Sequence, residues 1–279
     1  MKSEQFLRIS RLLGDEPVAA LHTKRVVIVG LGAVGGMCLE SLVRSGLGWV
    51  RIVDFDTVGI TNINRQILAT HHTIGRAKTD VAKERVLAIN PYCTVEVLDL
   101  FVDNDSVATI LEGEIDLVID AIDSLNPKCA LLEAAYKKEI PVISSMGAAL
   151  RRDPLLVRKA DLMESWGCPL ARAVRTKLRR RGVDKGIEVI FSPEEVRYTY
   201  LPPEEEEHAD FNEQVSDQGR RRNVLGSLPT VTAIFGQNLA HLALTKLLDQ
   251  ETFSGVESYN PLSAKKRSAQ RTQGGESLA

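Results

Sequence analysis

Between residues 54 and 78 the chain groups side chains that suit an anion. TNINRQ (61–66) follows an acidic strand end, VDFD, and a lysine, Lys78, comes soon after. A loop that only turns favours Gly, Pro, Asn, Asp or Ser. Arg65 instead offers a planar five-donor fork that matches phosphate oxygens. Asn62, Asn64 and Gln66 add neutral donors, and Lys78 adds a second cation. Cations converging on one end of a nucleotide suit a phosphate chain whose charge grows as a bond breaks. The bland alternative for Arg65 and Lys78 is a pair of solvated charges.

The elements around this stretch supply the rest of a nucleotide site. RVVIVG (25–30) is a β-branched run of the kind found in buried parallel strands. Gly30-x-Gly32-x-x-Gly35 follows it and opens a helix over VGGMCLESLVRSG, the setting a phosphate-binding glycine turn requires. Asp54 ends a second strand, WVRIVD (49–54), where a carboxylate can take the ribose hydroxyls. This fingerprint alone does not separate NAD, FAD and ATP, and a turn made only for packing has the same look. A fourth strand ends in IDAIDS, which sets Asp120 and Asp123 past a strand carboxyl end. A carboxylate there can hold Mg²⁺ against phosphate oxygens. Asp123 is the better candidate, because Asp120 can cap the loop backbone.

Strands and helices alternate up to about residue 150. Helical spacing covers 76–90, TVEVLDL is a strand, and DSVATILEG is a short helix capped by Asn104 or Asp105. PKCALLEAAYKKE is a helix with Pro127 early in it, and IPVISSM is a fifth strand. This predicts an α/β fold, Rossmann-like, with a mostly parallel sheet flanked by helices. Residues 1–24 read as an N-terminal helical arm and 25–150 as the nucleotide-binding part. Residues 151–260 read as a C-terminal part of the same domain that extends the sheet in mixed fashion. LLVRKADL and IEVIFSPEEVRYTYL supply its strands, PLARAVRTKLRRRG a basic helix, and LPTVTAIFGQNLAHLALTKLL a long amphipathic helix. The polar interruptions of the last helix argue against a membrane span. The charged stretch 202–223 predicts a mobile loop, and 261–279 a disordered tail.

Composition bounds the function classes. The 279 residues are 44% hydrophobic and 26% charged, with a net charge of −2, so overall charge does not point to nucleic acid. Cys38, Cys93, Cys129 and Cys168 form no C-x-x-C pair, so zinc-ribbon spacing is absent and buried thiols are expected. Cys168, just before a helix, is the one candidate for an exposed thiol. No leader pattern is visible, and a cytoplasmic setting without stable membrane association is expected.

VVIVGLGAVGG, VRIVDFDTVGITNINRQ, GRAK, INP and LVIDAIDS, in this order, resemble the ubiquitin-activating-enzyme-like adenylyltransferases. DAIDSLNPKCALLEAAYKKEIPVISSMGAALRRDP and the segments after it are similar to the tRNA threonylcarbamoyladenosine dehydratase branch, over nearly the whole chain. The resemblance implies ATP-driven adenylation of the carboxylate of threonylcarbamoyladenosine at position 37 of tRNA. Attack from within the same side chain then closes a ring and releases AMP. It also implies roles: Asp54 on the ribose, Asn62, Arg65 and Gln66 on the phosphates, and Lys78 on the triphosphate or departing pyrophosphate. Asp123 would position Mg²⁺. Arg11, in RISR, would enter the partner's site in a homodimer. A monovalent cation and sulfur-transfer partners are left open. One departure is Ala33, where the family's turn carries glycine; another is the lack of C-x-x-C zinc pairs.

A tRNA substrate needs a positive surface. Arg172, Arg175, Lys177, Arg179, Arg180, Arg181 and Lys185 form a dense basic segment, and Arg220, Arg221 and Arg222 a second. A solvated helix face is the plain alternative. Competing functions are an activator of a ubiquitin-like sulfur carrier, which calls for a reactive cysteine, a nicotinamide-dependent dehydrogenase, and a non-catalytic adaptor. No ring-closing base stands out among His22, His71, His72, His208 and His241.

Overall fold

The computed structural model describes residues 4–196, 225–248 and 252–253. Among these residues seven strands form one sheet in the order β3-β2-β1-β4-β5-β7-β6. They are β1 (Arg25–Val29), β2 (Trp49–Asp54), β3 (Thr94–Asp99), β4 (Leu117–Asp120), β5 (Val142–Ser145), β6 (Arg158–Asp161) and β7 (Glu188–Phe191). Every pairing is parallel except β6 with β7. That is the expected Rossmann-like sheet with a mixed C-terminal extension. β1 and β2 are buried almost throughout, which is why they read as unbroken apolar runs rather than as alternating ones.

Helices cover both faces. α3 (Ala33–Arg44), α4 (Lys78–Ile89) and α8 (Pro229–Leu247) share one core with Ile28, Ile52 and Ile119 of the sheet. α5 (Val107–Ile110), α6 (Leu125–Lys137) and α7 (Pro169–Arg179) close the other face over Val27, Val118 and Val189. Chain order reverses between β1 and β4, whose neighbours run outward in opposite directions. Ligands of open α/β sheets lie in that crevice, past the strand carboxyl ends.

Some local expectations change. The N-terminal arm is two helices, α1 (Leu7–Leu13) and α2 (Asp15–Thr23), broken at Gly14, whose φ of +97° ends the first. The cap of α5 is neither Asn104 nor Asp105. Asp103 accepts from the backbone N–H groups of Asp105 and Ser106, and the Ser106 hydroxyl accepts from Asp103 N–H. The predicted mobile loop at 202–223, the Arg220–Arg222 cluster, His208 and the tail at 261–279 lie outside the described residues. Among the described residues no helix is long and apolar enough to cross a membrane.

Candidate active site

The glycine turn is shaped by contact with the neighbouring strand's loop. Gly30 has φ +93°, and a Cβ there would meet the Ala121 backbone at 2.9 Å. A Cβ on Gly35 would sit 1.7 Å from the Gly30 carbonyl oxygen. These two positions demand glycine. Position 33 does not, because Ala33 is the first residue of α3 and takes ordinary helical geometry. Gly32 is the N-cap of α3 and has no side chain to bond the first-turn N–H groups. α4 and α6 also begin without a side-chain cap hydrogen bond. Three helix N-termini thus present partial positive charge at one edge of the sheet.

Asp54 and the turn are locked together. Its Oδ2 accepts from Leu31 N–H at 2.6 Å and its Oδ1 from Asp56 N–H at 2.9 Å. Each oxygen keeps a lone pair for a ribose hydroxyl. Burial pushes the Asp54 carboxyl above its usual range, while nearby Lys78 and the two backbone donors pull the other way.

The segment after β2 folds back over this turn. Asn62 is buried, its Oδ1 accepting from Gly59 N–H at 3.0 Å, and its Nδ2 is a buried donor with no partner among the described residues. An orphaned buried donor carries a cost that a ligand oxygen would remove. Gln66 is buried beside the turn, its Nε2 3.9 Å from where a Gly32 Cβ would lie. Arg65 is half-buried, and one of its terminal nitrogens donates to Thr61 O and to Asn64 Oδ1 at 3.0 and 2.9 Å. Asn64 is exposed and orients the guanidinium.

Lys78 is the first residue of α4, where a cation opposes the helix dipole. It is held there by Asp56, Nζ to Oδ2 at 2.8 Å, and its own N–H donates to Asp56 O at 3.0 Å. Sequence reasoning missed Asp56, although VDFD contains it: two residues past Asp54, it is the carboxylate that places Lys78.

Across the crevice, Asp123 is exposed on the β4–α6 loop and accepts from the Ser124 hydroxyl at 3.1 Å. Asp120 takes the structural role. Its Oδ1 caps Ile122 N–H at 3.0 Å, and its Oδ2 receives Lys128 Nζ at 2.5 Å and the Ser144 hydroxyl at 2.6 Å. Lys128, wholly buried, also donates to Ser144 Oγ and Ser145 O. This network ties the Asp123 loop to β5. Lys128 too went unread in the sequence, but a signal exists: it stands with Leu131, Leu132 and Ala135 at i, i+3, i+4 and i+7, on the buried stripe of α6.

Not every predicted residue converges here. Arg11 is exposed on α1. The start of its arm packs at the far ends of α3 and α4, with Gln5 Nε2 donating to Ile89 O and Phe6 against Gly46. On α7, Arg175 turns inward to Ser165 O and Oγ at 2.6 and 2.7 Å, and just past the helix Arg181 pairs with Glu133 at 2.5 Å. Arg172, Arg179 and Arg180 stay exposed, while Lys177 donates to Asn126 Oδ1 in the first turn of α6. The basic helix therefore lies against α6, whose first turn follows the loop that carries Asp123.

No nucleophilic thiol is seen. Cys168 is buried, 4% exposed. Burial pushes the Cys93 thiol to about 12 and the Cys38 and Cys129 thiols upward as well. Among the described residues no cluster of three or more His, Cys, Asp or Glu is set to hold a metal. A lone carboxylate such as Asp123 fits Mg²⁺, which commonly takes one or two carboxylates and leaves its other positions to phosphates and water.

Residues 4–276 match the ThiF family model. A tRNA threonylcarbamoyladenosine dehydratase of Bacillus subtilis is 42% identical over 190 residues, 68% of this chain and 75% of that protein. The enzyme of the same name from Escherichia coli is 33% identical over 90% of this chain and 96% of its own. A solved structure of E. coli tRNA N6-threonylcarbamoyladenosine dehydratase in complex with ATP superposes with a TM-score of 0.77 at 33% identity, covering 90% of this chain and 97% of that one. With its glycine turn, acidic strand end and basic loop gathered at one crevice, the chain belongs to the ThiF family, on the branch that carries these dehydratases.

Proposed function

We propose that this protein uses ATP to adenylate the carboxylate of threonylcarbamoyladenosine at position 37 of tRNA and then closes that side chain into its cyclic form. The observation that carries the reading is the convergence of Asp54, the orphaned Asn62 donor, Gln66 and Lys78 around uncapped helix N-termini. Together they offer a ribose acceptor, neutral donors and a cation at one edge of the sheet.

In the reaction, a substrate carboxylate oxygen attacks the α-phosphorus and pyrophosphate leaves. The glycine turn holds the phosphates for in-line attack. Arg65 and Lys78 neutralise the charge that builds on the departing group, Lys78 exchanging its Asp56 contact for phosphate oxygen. Asp123 and substrate phosphates would hold Mg²⁺, which adds further neutralisation when bound. A nucleophile within the substrate then attacks the acyl carbon and AMP departs, so the protein needs no cysteine of its own. The four buried thiols suit that reading over sulfur-carrier activation.

The tRNA would lie on the exposed cations of α7, Arg172, Arg179 and Arg180, with Lys177 beside the Asp123 loop. A homodimer in which Arg11 reaches the partner's site draws support from Leu7 and Leu12, exposed on the same helix. Four unpaired thiols suit a reducing, cytoplasmic setting. The test is to incubate the protein with ATP and threonylcarbamoyl-modified tRNA and follow AMP and the nucleoside by mass spectrometry. AMP release with loss of one water from the nucleoside is the expected result. If modified tRNA has no effect and a small Gly-Gly-ended carrier protein is adenylated instead, the sulfur-carrier reading replaces it.

A further inference from the structure

Large apolar side chains are normally hidden, yet the Trp166 ring is 56% exposed. It is held firmly all the same. It meets the buried Phe191 ring edge-on, with centroids 5.0 Å apart and planes at 73°. The next residue fixes the turn: Gly167 has φ +70°, and a Cβ there would lie 2.6 Å from Pro193 O.

An open cleft of about 740 Å³ begins at Gly167 and is lined by Cys168, Pro169, Arg172, Lys177 and Arg180. Its place in the fold is defined by two contacts. Cys168 Sγ lies 3.8 Å from where a Gly147 Cβ would be, two residues past β5, and Lys177 reaches the first turn of α6. The cleft therefore opens at the same carboxyl edge of the sheet as Asp123. Arg175 lines it too, but its guanidinium is already bonded to Ser165.

An exposed aromatic ring one residue before a cationic cleft calls for a ligand with both a flat π-face and negative charge. An unpaired nucleotide has both, whereas a base inside a duplex shows no free face. We propose that Trp166 is a stacking platform for one unpaired base of the RNA substrate. Arg172, Lys177 and Arg180 then hold the phosphates flanking that base. The assignment rests on the tRNA reading above and adds to it the side chain that stacks a base of the substrate loop.

The chain has two tryptophans, so Trp49→Phe leaves Trp166 as the only indole. Trp49 is buried at the start of β2 between the guanidiniums of Arg25 and Arg51. In that background the fluorescence of Trp166 is followed as an RNA hairpin with an unpaired loop is added, with a fully paired duplex as control. The loop RNA should quench Trp166 and the duplex should not. Trp166→Ala should weaken loop binding about 5- to 150-fold with only a small fall in thermal midpoint from the lost Phe191 contact, and Trp166→Phe should restore most of the binding. Arg172→Gln with Arg180→Gln should flatten the salt dependence of binding, a change that loss of stacking alone would not produce.

Unchanged affinity in Trp166→Ala, without quenching, would overturn the platform while leaving the tRNA reading intact. Quenching by an acidic peptide but not by loop RNA would overturn it too, and would make this a protein-docking surface. Failure of the unsubstituted protein to bind any tRNA would instead strike the underlying reading.

Discussion

Two lysines meet two aspartates along one edge of the sheet, in opposite settings. Lys128 and Asp120 are sealed, each at 0% exposure, with Ser144 and Ser145 completing the lysine's bonds. Lys78 has a buried stem, but its partner Asp56 is about one-third exposed and lies beside the nucleotide turn. The first pair fixes a loop. The second holds a cation where an incoming phosphate can take it over. The lesson is that charge pairing alone does not mark a lysine that a ligand can reach; access to the pair does.

That contrast predicts different losses. Lys128→Ala should cost the most stability, because it leaves Asp120 buried and unpaired. Breaking a buried pair from one side typically costs about 3–5 kcal/mol. The change is read as a fall in the denaturant midpoint. Replacing both Asp120 and Lys128 with apolar residues of similar volume should recover much of that loss. If Lys128→Ala unfolds no more easily than the parent, the bracing role is wrong.

Lys78→Ala should act on chemistry. Loss of one charge-stabilising group from such a site is worth about 10²- to 10³-fold in rate. AMP release and nucleoside dehydration should fall together by that order, with only a small change in stability, since Asp56 is left partly in water. A variant that unfolds readily but retains its turnover would reverse the two assignments.

A third carboxylate lies between these extremes. Glu40 is buried, but its partner Arg44 is exposed and Arg85 partly so. Burial pushes the Glu40 carboxyl up, and the two guanidiniums more than offset this, leaving it below its usual value. A lowered folded-state pKa gives stability that is present above the ordinary carboxylate range and lost as pH falls through the folded value. Glu40→Gln should therefore cost about 1–2 kcal/mol at neutral pH, discounted for the exposed arginines. The parent and variant curves should converge in acid, as thermal midpoints measured from neutral pH down to about pH 3 would show.

The sheet was legible because parallel strands buried on both faces read as apolar runs, as 25–29 and 49–54 do. The glycine turn, Asp54 and Lys78 were legible because their spacing from strand and helix ends is fixed by local backbone geometry. Asp56 was harder, because its partner lies 22 residues away and only the folded loop joins them. Lys128 was hidden by its charge: a lysine in a helix reads as surface, and its buried acceptors sit on β4 and β5. Neither Asn104 nor Asp105 caps α5, because Asp103 reaches two N–H groups at once in the turn that leads into the helix. Around α7, spacing marked the basic segment but not which arginines would be taken up by other protein groups, as Arg175 on the helix and Arg181 just past it are.

The most direct test of carboxylate adenylation is isotopic. A tRNA whose threonylcarbamoyladenosine carboxylate carries ¹⁸O is converted in the presence of unlabelled ATP, and the nucleotide product is weighed by mass spectrometry. Attack of that carboxylate on the α-phosphorus predicts AMP bearing one ¹⁸O. Unlabelled AMP, or ADP in its place, would contradict the account.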